Sequence, residues 1–149
     1  MNIPADKKIL IVDNELHIRI LLTQALLGLA REGVRLFTAE SGTEALKLID
    51  LERPDLVFLD VMMPGLNGFD VCRLIKSDYR MDNCHIIIVT ARSQHVDQQM
   101  GSISGADEYL VKPFNPLTIG QRAREVLGMK PAVPLFTAPK AVPNVGSKV

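Results

Sequence analysis

The sequence carries no surplus of charge, because its 17 basic and 17 acidic residues cancel. A chain without a basic excess is a poor match for direct binding to nucleic acid or to an anionic membrane surface. It also lacks any apolar run approaching the ~18 residues that a membrane span needs. The opening residues, MNIPADKK, hold no apolar stretch of the kind a secretory signal requires. Cysteine is scarce: Cys72 and Cys84 stand in apolar surroundings without metal-ligand spacing. They are expected as buried free thiols of a reducing compartment. These absences together predict a cytoplasmic protein with no membrane partner and no direct nucleic-acid contact. Against them stands an apolar content of 47% over 149 residues, enough for one core without covalent staples.

Short apolar runs alternate with helical patterns along most of the chain. Lys8–Val12 (KILIV), Leu56–Leu59 (LVFL) and His85–Val89 (HIIIV) are continuous apolar runs, as expected of strands covered on both faces. Val34–Thr38 alternates and predicts a strand nearer the sheet edge, and Glu108–Val111 a short fifth strand. Between them, Ile18, Leu21, Leu22, Ala25, Leu26 and Leu29 recur at helical spacing up to Gly33. Ser41 with Glu44 predicts a capping box for a second helix, which Pro54 stops. A turn-rich stretch over 62–68 leads into a helix carrying Val71, Leu74 and Ile75. A weaker helical stretch covers 93–104, and Pro116 opens a last helix ending at Gly128. Strand–helix repetition with short links predicts a doubly wound α/β domain with a five-stranded parallel sheet and helices on both faces. The expected organisation is an N-terminal segment over 1–6, one domain over 7–129, and a flexible Pro-rich tail or linker over 130–149. Residues 1–129 carry a net charge of −3 and the tail +3. Leu135 and Phe136 are the tail residues able to dock, but a bare linker is the preferred reading.

In an open parallel sheet, ligands bind beyond the carboxyl ends of the strands. Asp13, Asn14 and Glu15 follow the first strand, Asp60 the third, Thr90 the fourth and Lys112 the fifth. Each has an ordinary structural reading alone: Asp13 and Thr90 as helix caps, Lys112 as a solvated loop residue. Four such residues at one edge point instead to divalent-metal and phosphate chemistry. Crowded carboxylates repel unless a cation neutralises them, and Mg²⁺ takes one or two carboxylates together with waters and phosphate oxygens. A carboxylate can itself be the nucleophile and become an aspartyl phosphate.

The segments ILIVDNE, LVFLDVMMPGLNGFDVCRLIK, IIIVTAR and GADEYLVKPFNPL resemble the receiver domains of bacterial two-component response regulators, over about Lys7 to Gly128. The resemblance implies a flavodoxin-like fold of strand order 2-1-3-4-5. It also implies a phosphorylation-dependent switch that takes its phosphoryl group from a histidine kinase or phosphotransfer protein. On that resemblance Asp60 is the phosphoacceptor, Thr90 and Lys112 contact the phosphoryl group, and Thr90 and Tyr109 form the switch pair. Asp13, Asn14, Asp60 and the backbone carbonyl of Met62 would hold Mg²⁺, and Lys112–Pro113 would be a cis peptide. The family usually carries a second acid where this chain has Asn14, so weaker Mg²⁺ affinity without loss of phosphorylation is expected. Met62 and Arg92 flank the path of an attacking water in the family. Met62 has no group to orient that water, which implies a long-lived phosphorylated state.

No output domain is recognisable after Gly128, and a stand-alone regulator is preferred over a piece of a longer one. Glu108 and Arg122 are placed like a charged pair that bridges some receiver dimers, making the face of the fourth helix, fifth strand and fifth helix a possible homodimer surface. Gln98 and Thr118 stand where such dimers often have charges. Two rivals remain. An aspartate-nucleophile phosphatase would want an acid two residues after Asp60, where Met62 stands. A phosphate-independent pseudo-receiver would usually have lost Asp60, Thr90 or Lys112. The expectation is a signalling switch, not an enzyme acting on other substrates.

Overall fold

Residues 6–91 and 105–132 are described by a computed structural model. Strand β1 (Lys8–Val12) leads into helices α1 (Leu16–Ala25) and α2 (Leu27–Arg31), then β2 (Arg35–Ala39) and α3 (Gly42–Glu52). Strand β3 (Leu56–Asp60), α4 (Gly68–Ser77), β4 (His85–Thr90), β5 (Glu108–Val111) and α5 (Pro116–Val126) complete the described elements. All strand pairings are parallel, in the order β2-β1-β3-β4-β5. The order and the edge position of β2 are those expected. The helical stretch expected over 93–104, the loop residue Arg92 and the tail beyond Ala132 lie outside the described residues.

Alternation along the central strands divides the core into two layers. Leu10, Val12, Val57, Leu59, Ile86 and Ile88 face α3 and α4, joining Ile49, Val71, Cys72 and Ile75. Ile9, Ile11, Leu56, Phe58, Ile87 and Val89 face the other way, against Leu22, Leu26, Leu29, Ile119 and Ala123 of the α1, α2 and α5 side. Because both faces are covered, the strands show no polar alternation, as the unbroken apolar runs had indicated. Both cysteines are free and buried, as expected. Among the described residues, no helix is long and apolar enough to cross a membrane.

Three local readings are corrected. The single helix expected through Ile18–Leu29 is broken at Leu26, whose N–H is shared between the carbonyls of Leu22 and Thr23 at 3.2 and 3.1 Å. The apolar periodicity survives the break because Leu26 and Leu29 are both buried. Strand β2 begins one residue later than expected, since the Val34 N–H bonds the Leu29 carbonyl. At α3 the Ser41 hydroxyl accepts from Glu44 N–H at 3.1 Å, but Glu44 accepts from Glu40 N–H rather than from the cap residue. The full reciprocal box lies at α4. There Asn67 accepts from Asp70 N–H at 3.0 Å and Asp70 from Asn67 N–H at 3.2 Å. Reading 62–68 as a turn concealed it.

The last helix is closed at both ends by its own chemistry. The Asn115 side chain accepts from Leu117 N–H at 2.9 Å, and Pro116 takes the first helical position. At the other end Gly128 has φ +72°. Its N–H bonds Glu125 O at 3.2 Å, and Met129 N–H bonds Arg124 O at 2.8 Å. That pair of bonds is a Schellman closure, and it turns the chain back over the helix.

Candidate functional site

Parallel pairing in this register brings Asp13, Asp60, Thr90 and Lys112 to one edge. Val12 pairs with Leu59, so Asp13 stands level with Asp60; Asp60 pairs with Val89, and Thr90 with Val111. Asp13, Asp60 and Thr90 are all buried. Lys112 links the two acids: its Nζ lies 3.0 Å from Asp13 Oδ2 and 3.5 Å from Asp60 Oδ1. Glu15, half exposed, stands 3.8 Å from the same ammonium.

Local hydrogen bonds fix these side chains. The Asp13 N–H donates to Ala39 O at 3.1 Å, and Arg19 of α1 donates to the Asp13 carbonyl at 2.7 Å. Asp13 Oδ1 accepts from Glu15 N–H at 2.9 Å, closing a turn before α1 rather than capping the helix. The Lys112 N–H donates to Thr90 O at 2.7 Å, tying the lysine to the end of β4. The Lys112–Pro113 peptide is cis, as the resemblance implied.

The backbone of Asp60 is braced from behind. A Cβ on Gly68 would lie 2.3 Å from the Asp60 carbonyl oxygen and 2.9 Å from Val61 Cα, so no side chain fits. The Gly68 N–H also bonds Val61 O at 3.2 Å. A Cβ on Gly42, at the start of α3, would meet Leu66 at 2.7 Å, which holds the same loop from the other side. Gly68, Gly42 and Arg19 are positioning residues that sequence reasoning missed. Their only signals were glycines beside turns and a basic residue early in the first helix.

Other site candidates are placed more loosely. Asn14 is exposed on the loop after β1. Met62 shows an exposed side chain (53%), and its backbone N–H bonds the Asp60 carboxyl. Tyr109 is half-buried on β5, packed against the α3–α4 layer. Glu108 and Arg122 pair within the chain, Nε to Oε1 at 2.7 Å, and His85 Nε2 meets Glu108 Oε2 at 2.7 Å.

Electrostatics set the state of the central acid. Burial, reinforced by the Asp13 charge and opposed by Lys112, raises Asp60 to a pKa of about 6. Burial alone would lower Lys112. Its hydrogen bond to Asp13 and the charges of both acids outweigh that and hold it above the ordinary range. The pocket thus keeps an excess of negative charge that one ammonium does not cancel. Two buried carboxylates with nearby amide and carbonyl oxygens suit a hard divalent cation. Among the described residues, no group of three or more His, Cys, Asp or Glu is placed to hold a metal. Such an ion would therefore rely on neutral oxygens for its remaining ligands.

A raised pKa makes ionised Asp60 a burden on folding. Stability contributed by the protonated form is fully present below about pH 4 and is lost as pH rises through about 6. The loss above that pH is on the order of 3 kcal/mol, at 1.36 kcal/mol per unit of pKa. Asp60→Asn is therefore expected to be more stable than wild type at pH 8 without divalent metal, with the advantage fading toward pH 4. Urea denaturation at both pH values checks this; equal midpoints at pH 8 would contradict it.

Comparisons with known proteins agree with this geometry. The sequence model of the response regulator receiver domain matches residues 9–124. The transcriptional regulatory protein AfsQ1 of Streptomyces coelicolor is 44% identical over 119 residues, covering 80% of this chain and 50% of that protein. The alkaline phosphatase synthesis transcriptional regulatory protein PhoP of Bacillus subtilis is 40% identical over 82% of this chain and 49% of its own length. The chain thus spans about half the length of these relatives. Among solved structures, the chemotaxis protein CheY4 of Vibrio cholerae superposes with a TM-score of 0.72 at 31% identity, over 80% of this chain and 98% of its own. The response regulator DrrB of Thermotoga maritima, an OmpR/PhoB homolog, gives 0.70 at 32% identity, over 82% of this chain and 52% of its own. With the strand order, the acidic edge and its lysine already in place, these matches make the chain a member of the response regulator receiver family.

Proposed function

We propose that Asp60 accepts a phosphoryl group from a histidine kinase or phosphotransfer protein, and that the chain works as a phosphorylation-dependent signalling switch. The observation that carries this is the buried Asp60 carboxylate, 3.5 Å from Lys112 and beside Asp13 at the carboxyl edge of the sheet. The ionised Asp60 oxygen attacks phosphorus, the bond from phosphorus to the donor's imidazole nitrogen breaks, and the imidazole leaves with the bond's electron pair. Lys112 is close enough to Asp60 to move onto a phosphoryl oxygen as charge transfers to it. Mg²⁺, held by Asp13, Asp60, Asn14 and the Met62 carbonyl, would supply the remaining positive charge. Thr90 supplies a buried hydroxyl at the end of the neighbouring strand, and Tyr109 is the aromatic partner through which the change reaches β5.

The DNA-binding response regulator MtrA of Mycobacterium tuberculosis is 41% identical, and the match covers 49% of that protein.

Incubation with acetyl phosphate and Mg²⁺, followed by intact mass measurement, tests the proposal. One added phosphoryl group, absent in Asp60→Asn, is expected. No addition would favour the pseudo-receiver reading, and continued hydrolysis of phosphoesters would favour the phosphatase. Asn14→Asp adds a third negative charge to the metal site, so Mg²⁺ affinity is expected to rise roughly ten-fold, as for one charge interaction of about 1.4 kcal/mol. Calorimetric titration with Mg²⁺ measures this directly, and equal affinities would remove the charge argument. Replacing Met62 by Asn supplies a group that can orient water, so loss of the phosphoryl group should quicken several-fold. An unchanged decay rate would remove Met62 from any shielding role.

A further inference from the structure

Glu15 brings a third carboxylate to the acidic edge. It is the N-cap residue of α1, yet its side chain makes no hydrogen bond to the first turn of that helix. The preferred caps are shorter polar side chains. The Glu15 carboxylate turns instead toward the pocket, where Oε1 lies 3.8 Å from Lys112 Nζ. Its side chain is 51% exposed, against 14% for Lys112 and 1% for Asp13, so this ion pair spans the boundary between pocket and solvent.

A closed ring of contacts results. Asp13 Oδ1 accepts from the Glu15 N–H at 2.9 Å, Asp13 Oδ2 accepts from the Lys112 ammonium at 3.0 Å, and that ammonium meets Glu15. Asp60 Oδ1, at 3.5 Å, lies outside the ring. Among the described residues, Asp13, Glu15 and Asp60 are the carboxylates within ion-pairing distance of Lys112. The backbone of Lys112 is tied to Thr90 O, so the ammonium changes partner by moving its flexible side chain alone.

The ring bears on metal binding, and the argument rests on reading Asp13 and Asp60 as ligands of Mg²⁺. An ammonium and a divalent cation are alternatives on one pair of buried acids, because like charges repel strongly where little water screens them. Lys112 must then withdraw from Asp13, and a half-buried ammonium left without an anion is unfavourable. Glu15 meets it from the solvent side. It is not placed to share the ion with the two acids, since no group of three such side chains among the described residues could hold a metal.

We propose that Glu15 is a positioning residue that receives Lys112 when Asp13 and Asp60 ligate a divalent cation. Metal affinity in this chain then depends on a carboxylate that is not itself a ligand, and the charge missing at Asn14 is partly offset one residue later. Without Glu15 the ammonium stays on the two acids and competes with the metal.

Calorimetric titration of the full chain with Mg²⁺, in the absence of a phosphodonor, tests this. Glu15→Gln should weaken Mg²⁺ binding about three-fold, the size of one half-exposed charge interaction. Asp82→Asn removes the same charge from an exposed position just before β4, at the opposite end of the sheet, and should leave the affinity unchanged. The effect of Glu15→Gln should vanish in a Lys112→Met background, as it must when one residue acts through another. Wild-type affinity in Glu15→Gln would overturn the proposal, as would an equal loss in Asp82→Asn; both comparisons stand whether or not Lys112→Met folds. A loss that persists in Lys112→Met would also overturn it, because Glu15 would then act on the ion directly. Absence of Mg²⁺ binding by the wild-type chain would remove the metal reading of Asp13 and Asp60, and this proposal with it.

Discussion

One ammonium placed between two buried carboxylates organises the working edge of this domain. Lys112 reaches both Asp13 and Asp60, although the three residues stand at the ends of three different strands. A charge taken out of water is costly unless a partner is held close, and the cost falls on whichever group is left unbalanced. Here the imbalance settles on Asp60, whose carboxyl pKa is raised to about 6. The sheet exists as a rigid platform partly so that this imbalance has fixed dimensions. Five parallel strands in one register bring the three groups within a few ångströms, and the two apolar layers keep the strands from sliding.

Rigidity behind Asp60 matters as much as charge in front of it. Gly68 lets the start of α4 rest on the backbone of Asp60 and Val61, and the Asn67–Asp70 box fixes where that helix begins. On the other flank Gly42 admits Leu66 against α3. The Asp60 backbone therefore has no room to shift toward α4. On its other side stand Lys112, 3.5 Å away, and Met62, whose backbone N–H bonds the carboxyl.

Much of this was legible in the residues. Continuous apolar runs named the central strands because burial on both faces abolishes alternation, and the polar residues just after those runs named the acidic edge. Family resemblance then assigned roles to Asp13, Asp60, Thr90, Tyr109 and Lys112. What escaped was whatever depends on distance between segments far apart in sequence. Gly68 looks like any turn glycine until its approach to Asp60 is measured. The Glu44 side chain suggested a standard box, yet it bonds Glu40 N–H, one residue before the cap. The break at Leu26 was hidden for a similar reason, since the same leucines are buried whether or not the helix is continuous. Charge pairs were legible as residue types but not as pairings: Glu108 and Arg122, which suggested contact between chains, bond to each other within one.

The split core also shapes how substitutions combine. Neighbouring residues of β1, β3 and β4 belong to separate apolar layers, with the sheet between them. Leu10 and Val57 share one layer and sit opposite each other in register, whereas Ile9 and Phe58 belong to the other. Changes within one layer compete for the same space and are non-additive, while changes in opposite layers meet only through the backbone and sum. Position parity along a strand thus becomes a map of epistasis. A variant library of this domain would fall into two nearly independent halves, joined at the edge where Asp60 ends its strand.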